Sequence, residues 1–426
     1  MRPFSRTWIP IFALMILAGG NALGSGFSIF EQGAKATGMA GAFAATADDP
    51  SAIFYNVAGI AQQRHMAFYT GATFINFANE FKGDPNDAFA SGSTGTYKRH
   101  TFIPPNAYAI VPIGSNLTFG VGVTAPFGLR TNWDDPWIGR FASRDANIKT
   151  VSVEPAVAWQ SSSGTVAVGG GIEYRRARVI LARNAGQPNP FLGRISDVAS
   201  TFLSSDWESG TGWNVGLLVK PGTWRIGASY RAPMDIDFNG DLTVTQIPTG
   251  VPAFDALVGA GLPPSQGVKT SIPFPAVAQI GVATTAIPNW DIEVDVTNTT
   301  WSRFKTLVVT GDAAGATLIN RPQNWEDTMS YRIGANHMVN AQWDVRFGFV
   351  YDENPQPVEA VSPLLPDSDR LGVTFGVGYR HGSWFIDASD MVLHFKDRST
   401  QGLSTDLNGT YRTDANLISL NLGYRF

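Results

Sequence analysis

The chain has 426 residues, no cysteine, 15% charged residues against 12% aromatic ones, and a formal charge of −4. Without a basic excess or a concentrated basic stripe it has no electrostatic footprint for nucleic acid. Without cysteine it has no disulfides and no thiolate metal site.

In chain order, Arg2 and Arg6 precede an apolar run from Trp8 to Ala18, and Ala22 and Gly24 suit the two specificity positions of a cleavage site. Residues 1–24 therefore read as a signal peptide, cut after Gly24, and imply export. Beyond it no stretch approaches the roughly 18 unbroken apolar residues of a spanning helix. If the chain enters a membrane, it does so with strands.

Residues 25–65 are rich in Gly and Ala and lack sustained alternation. Their expected place is the lumen of a barrel, as an N-terminal hatch or plug, the blander reading being a flexible leader. From residue 66 to 426 period-2 alternation recurs. In WDVRFGFVY, Trp343, Val345, Phe347, Phe349 and Tyr351 share one face, and Asp344, Arg346 and Gly348 the other. Aromatic residues often end the apolar faces, as in membrane girdles. The opposite faces carry Arg225, Arg231, Asp291, Glu293, Asp295, Asp344 and Arg346, which a wet lumen accepts better than a dry core.

Candidate strands lie near 66–82, 98–112, 115–128, 147–160, 165–181, 211–220, 223–244, 270–287, 289–310, 325–338, 341–353, 370–380, 383–396 and 411–426. Tight turns such as PIGSN at 112–116 and KPG at 220–222 alternate with longer polar loops around 129–146, 182–210, 245–269, 311–324, 354–369 and 397–410. The fold class expected is all-β: a membrane-spanning, antiparallel, up-and-down β-barrel of about fourteen strands, residues 66–426, with both ends periplasmic. The closing LISLNLGYRF should pair with the first strand, and its terminal Phe426 suits recognition by the barrel-assembly machinery.

Two of the long loops are unusually apolar. Phe191, Leu192, Ile195, Val198, Ala199, Phe202 and Leu203 recur at roughly helical spacing, and the 245–269 loop holds Val251, Phe254, Leu257, Val258 and Leu262. Phe191, Ile195, Val198, Phe202, Leu203, Phe254, Leu257 and Val258 are the expected walls of a capture groove, unless the two loops merely pack together as a lid.

Catalytic and metal sites are not expected, nor a cofactor. His65, His100, His337, His381 and His394 have no metal-ligand spacing, and Asp291, Glu293 and Asp295 share one face as lumen acids routinely do.

GFSIFEQGAKATGMAGAFAATADDPSAIFYNVAGI, APFGLRTNWDDPWIGRFASR, GWNVGLLVKPGTWRIGASYRAP, WSRFKTLVV, LPDSDR and the final strand, in this order and spacing, resemble the FadL/TodX outer-membrane transporters of long-chain fatty acids and other hydrophobic compounds. The resemblance implies passive uptake by a monomer of the bacterial outer membrane, surrounded by lipopolysaccharide and phospholipid. It also implies a ligand pocket reached by Ser25, Gly26 and Phe27, and a kinked third strand that opens the wall sideways. The kink falls on Pro126, Phe127 and Gly128; Pro126 cannot donate to a ladder and Gly128 permits a bend. In the hatch, Asn56-Val57-Ala58 stands where the family has Asn-Pro-Ala, which puts local rigidity in doubt. A general porin for hydrophilic solutes, or a barrel adhesin, is the competing reading.

Overall fold

The computed structural model describes residues 26–98, 100–312, 315–404 and 406–426; Ser25 and the expected signal peptide lie outside the described residues. Fourteen antiparallel strands follow one another around the wall. They are β1 (Ala67–Gly83), β2 (Thr94–Thr96, Thr101–Phe102 and Pro105–Ile113), β3 (Leu117–Thr124 and Gly128–Asn132), β4 (Asp145–Gln160) and β5 (Val166–Asn189). Next come β6 (Arg194–Ser205 and Glu208–Val219), β7 (Trp224–Arg231 and Met234–Gln246), β8 (Gln266–Phe274 and Val277–Thr284) and β9 (Trp290–Thr299 and Thr306–Gly311). β10 (Thr317–Pro322 and Thr328–Met338), β11 (Trp343–Asp352), β12 (Arg370–His381), β13 (Trp384–Phe395) and β14 (Gly409–Arg425) complete the set.

The wall closes on itself: β1 pairs with β14 without a break from Ala67↔Arg425 to Gly83↔Gly409. Closure leaves no sheet edge, which is the condition for strands to cross a membrane. The burial pattern is inverted relative to a water-soluble sheet. On β14, Ile418, Leu420 and Leu422 are 47%, 51% and 43% exposed, whereas Ser419 and Asn421 are buried. Outward side chains are apolar because they meet lipid, and inward ones are polar. Exposed Trp159, Trp213, Trp224, Trp343 and Trp384 stand toward the short-turn or loop ends of these outward faces.

Short turns join β2 to β3, β4 to β5, β6 to β7, β8 to β9, β10 to β11 and β12 to β13, so β1 starts and β14 ends on the short-turn side. The other side differs from expectation in two places. Residues 182–210 are no helix-like loop: β5 runs on to Asn189, β6 starts at Arg194, and the two pair as a hairpin. β-Branched Ile195, Val198 and Thr201 favour a strand. The turn is set by the Asn189 side chain, which accepts from Phe191 N (3.0 Å), and by Gly193 at φ 63°. A bulge at Ala185/Gly186 shifts the register, so that both Val198 and Ala199 are buried. The 311–324 loop is likewise mostly strand, since Thr306–Gly311 pairs with Thr317–Pro322. The expected loop at 245–269 is present and contains a helix, Pro252–Gly261.

Candidate functional site

Residues 26–63 lie inside the barrel and are bound to its inward side chains. They form two short helices, Ala34–Gly38 and Ala52–Tyr55, and a 3-10 turn, Val57–Gln62, all too short to persist without tertiary partners. Those partners are lumen groups. Asp295 accepts from Phe43 N (2.9 Å) and Ala44 N (3.0 Å), and Glu293 from Ala45 N (2.6 Å) and Thr46 N (2.8 Å). Four consecutive backbone donors are thus gripped by two carboxyl groups two residues apart on β9. Arg332 donates to Ala40 O (2.9 Å), Thr374 to Gly38 O (2.8 Å), and Asn421 accepts from Ala34 N (2.9 Å).

Asn56 holds the turn that contains Val57. Its oxygen accepts from Ala58 N (3.2 Å), and its amide donates to Ala44 O (2.7 Å) and Leu217 O (3.0 Å). Val57 and Ala58 are buried in the same cluster as Ile53 and Ile60. Side-chain capping and burial supply the constraint that proline would otherwise provide.

β3 is interrupted where expected. Its first half pairs with both neighbours, its second half with β4, and the β2 ladder stops at Ala107↔Val123. The chain before the barrel docks onto this break: Ser28 bridges Phe127, Ile29 N donates to Pro126 O (2.8 Å), and Gly128 N donates to Phe27 O (2.9 Å). A strand interruption that would leave backbone groups unpaired is satisfied by the N-terminal segment.

Phe27 anchors the docking. Its ring lies 4.7 Å from Trp301, 5.9 Å from Trp325, and 6.0 Å from both Phe127 and Phe274, mostly edge-to-face. Trp301 and Trp325 reach inward because β9 and β10 are interrupted at 300–305 and 323–327, where the expectation is an unbroken strand over 289–310 and a strand beginning at 325. Gly26 sits at φ 61°, and a Cβ there would come within 2.8 Å of both tryptophan rings, so only glycine fits.

Two cavities meet at this bridge. One of about 90 Å³ is lined on its loop-side walls by Ile75, Phe77, Phe102, Leu129, Leu393 and Phe395. The other, about 60 Å³, is lined by Phe54, Val57, Pro126 and Phe127, among others, and Ser28 and Ile29 belong to both. Each has room for several waters or a short apolar chain. The first also has charged walls. Arg370 pairs with Asp352 (2.9 Å), Arg130 pairs with Asp145 (3.0 Å), and Asp367 accepts from Gly26 N (2.9 Å). Burial pushes the Asp367 carboxyl up to about 6, against the opposing pull of Arg370. Across the aromatic cluster, Arg175 stacks on Phe127 (4.5 Å) and Phe274 (5.0 Å) and pairs with Glu173 (2.6 Å).

The expected capture residues do not form one surface. Val198 and Phe254 are buried, Val258 is half-buried, and Phe191, Ile195, Phe202 and Leu257 point outward, Leu257 72% exposed. The loop side does carry a groove of about 600 Å³, whose apolar walls include Leu181, Leu203, Leu242, Val244, Leu262 and Leu307 and which Arg183, Arg321 and Asp406 also line. Leu203 is the one expected residue among them.

Phe27, expected at a ligand pocket, and Pro126, Phe127 and Gly128, expected at a kink in the wall, are separate features in the sequence, and the structure brings them together at one site. Trp301, Trp325, Asp367, Glu293 and Asp295 were not assigned to it. A usable signal existed for the first two: NTTWSRF and QNWED both break the alternation of the strands around them.

A family model described as outer membrane protein transport protein (OMPP1/FadL/TodX) matches residues 15–426. A long-chain fatty acid transport protein of Escherichia coli O6:H1 is 26% identical over 384 residues, 84% of each chain. A crystal structure of a Pseudomonas aeruginosa FadL homologue superposes with a TM-score of 0.82 at 21% identity, covering 94% of this chain and 100% of that one. The Ralstonia pickettii toluene transporter TbuX superposes at 0.69 and 18% identity, covering 93% of this chain and 100% of the other. At such identities the two structures speak for the fold.

Proposed function

Because the chain belongs to the OMPP1/FadL/TodX family of outer membrane transport proteins, we propose that it is a passive channel for hydrophobic molecules, hydrocarbons or long-chain fatty acids. The observation that carries the reading is the docking of Phe27–Ile29 onto the interrupted β3, between two cavities. An apolar molecule caught in the Leu181–Leu203–Leu242 groove on the external side would pass to the loop-side cavity. Displacement of Phe27–Ile29 would then join the cavities and free the β3 break for lateral exit. The barrel would act as a monomer, inserted by the barrel-assembly machinery, with both ends periplasmic.

The lining favours uncharged cargo. Both arginines of the loop-side cavity are already paired with carboxylates, and Asp367 would repel a ligand carboxylate. Hydrocarbon should therefore bind with little dependence on pH, and a fatty acid more tightly as pH falls from 7 to 5. Uptake of a labelled alkane or aromatic hydrocarbon by cells carrying Phe27→Ala tests the pathway. Flux should change severalfold while the barrel still assembles. Unchanged flux in a correctly assembled variant would remove Phe27 from it.

A further inference from the structure

On the outward wall of β4 and β5, just beyond the apolar band on the long-loop side, stand Lys149, Arg176 and Arg178. Register places Lys149 directly opposite Arg178 and Val151 opposite Arg176. All three side chains project outward, since they alternate with buried Thr150, Arg175, Ala177 and Val179. Like charges directly across an antiparallel pair repel. No carboxylate within the barrel wall relieves this pair: among the described residues none of the three forms an ion pair. Nearby acids are committed elsewhere, Asp145 to Arg130 (3.0 Å), Glu208 to the Asn239 amide (2.9 Å), and Glu173 to the lumen. Asp206 is exposed between Ser205 and Trp207, whose carbonyls Arg178 and Arg176 bond, and forms an ion pair with none of the three cations.

The guanidinium groups are nonetheless oriented. Arg178 donates to Ser205 O (3.1 Å) and Ser204 Oγ (2.8 Å), and Arg176 donates to Trp207 O (3.0 Å) and lies 5.9 Å from its ring. These bonds leave further N–H donors of each fork free to face outward. The outward position opposite Arg176 on β6 is small, Ser209. Directly below lies an apolar platform of Val151, Val153, Ile172, Tyr174, Trp213 and Val215, each at least 37% exposed. Elsewhere on the wall the exposed Arg412 has a carboxylate partner, Asp397 at 2.8 Å.

We propose that Lys149, Arg176 and Arg178 form a binding site for the phosphate groups of a lipopolysaccharide molecule whose acyl chains lie on the platform below. Three unpaired, adjacent cations at the polar edge of a lipid-facing wall complement a doubly phosphorylated headgroup, whose phosphates lie at that depth. Arg suits this role because its planar fork takes two phosphate oxygens at once. The assignment to lipopolysaccharide rests on the long loops being external; the binding measurement itself does not depend on orientation or on transport.

The test is native mass spectrometry of the full barrel, purified in mild detergent and mixed with diphosphorylated lipid A, its dephosphorylated form, or phosphatidylglycerol. Wild type should retain diphosphorylated lipid A, lose it with rising salt, and retain neither of the others comparably. Lys149→Gln/Arg176→Gln/Arg178→Gln should weaken retention by at least about tenfold, from the electrostatic worth of surface cations near an anionic lipid. Arg176→Lys/Arg178→Lys should keep most of it, and Lys82→Gln/Arg412→Gln should leave it unchanged. Heat-modifiable migration of the triple variant in an electrophoretic gel, matching wild type, verifies that the barrel is folded. Equal retention by the triple variant, or equal binding of dephosphorylated lipid A or phosphatidylglycerol, would overturn the assignment.

Discussion

Phe27 and Asp367 carry the N-terminal docking by different physics. Phe27 makes four aromatic contacts in a buried cluster, so Phe27→Ala removes both transfer free energy and ring pairing, about 3 kcal/mol or more. The loss falls on a local contact, because the barrel ladder does not depend on it. Hydrogen exchange should register it at Gly128, whose N–H is held by Phe27 O. Exchange there should quicken on the order of a hundredfold, with the β1–β14 amides unchanged. Slow Gly128 exchange in the variant would mean that the bridge does not need its aromatic anchor.

Asp367 acts through its proton. Burial raises its folded-state value to about 6 from 3.8, so the folded protein holds a proton that the unfolded chain has released. Its contribution to stability is therefore full below about pH 3.8 and is lost as pH rises through about 6, a span worth at most about 3 kcal/mol. Asp367→Asn keeps an oxygen for Gly26 N and abolishes the titration. Relative to wild type, the variant should gain stability between pH 4 and pH 7, read as the difference in melting temperature at the two values. A constant difference across that range would show that Asp367 does not titrate there.

At the scale of elements, the interruptions of the strands matter more than the strands. The breaks in β3, β9 and β10 turn Phe127, Trp301 and Trp325 toward Phe27, and β9 also presents Glu293 and Asp295 to the backbone of residues 43–46. Leaving a buried backbone donor without its acceptor costs about 1–3 kcal/mol. Glu293→Gln/Asp295→Asn should therefore loosen the plug from that side. Phe43–Thr46 amides should exchange faster while Ala34 N, held by Asn421, stays protected. Equal loosening at both places would instead indicate that the whole segment moves as one body.

The strands themselves were legible because alternation at period 2 survives wherever one face meets lipid and the other water. The β3 break was expected from the family resemblance, and Pro126, which cannot donate to a ladder, is its physical reason. The 182–210 hairpin was not: its bulge places Val198 and Ala199 on the same side, and that spacing imitates a helix. Nor was the grip of Glu293 and Asp295, since a lumen acid that solvates a pore and one that holds a plug have the same sequence pattern. The difference lies in residues about 250 positions away.

At the scale of the whole molecule, the barrel and its contents have separate sources of stability. The wall is closed by a continuous β1–β14 ladder that uses no residue before Ala67. The N-terminal segment touches nearly every inward face: β9 through Glu293 and Asp295, β10 through Arg332, β12 through Thr374, β14 through Asn421, and β6 through Leu217 O. A barrel so filled should carry little steady ion flow, whereas the empty wall would enclose a wide lumen. Deleting residues 26–63 should thus leave a barrel that still assembles and resists heat in detergent, because its ladder is complete. In planar bilayers, wild type should give little steady current and the deletion variant a large, ohmic one. Glu293→Gln/Asp295→Asn should lie between them as brief openings, since it releases one side of the plug. A large steady current through wild type would support a general porin for hydrophilic solutes over a channel for hydrophobic ones.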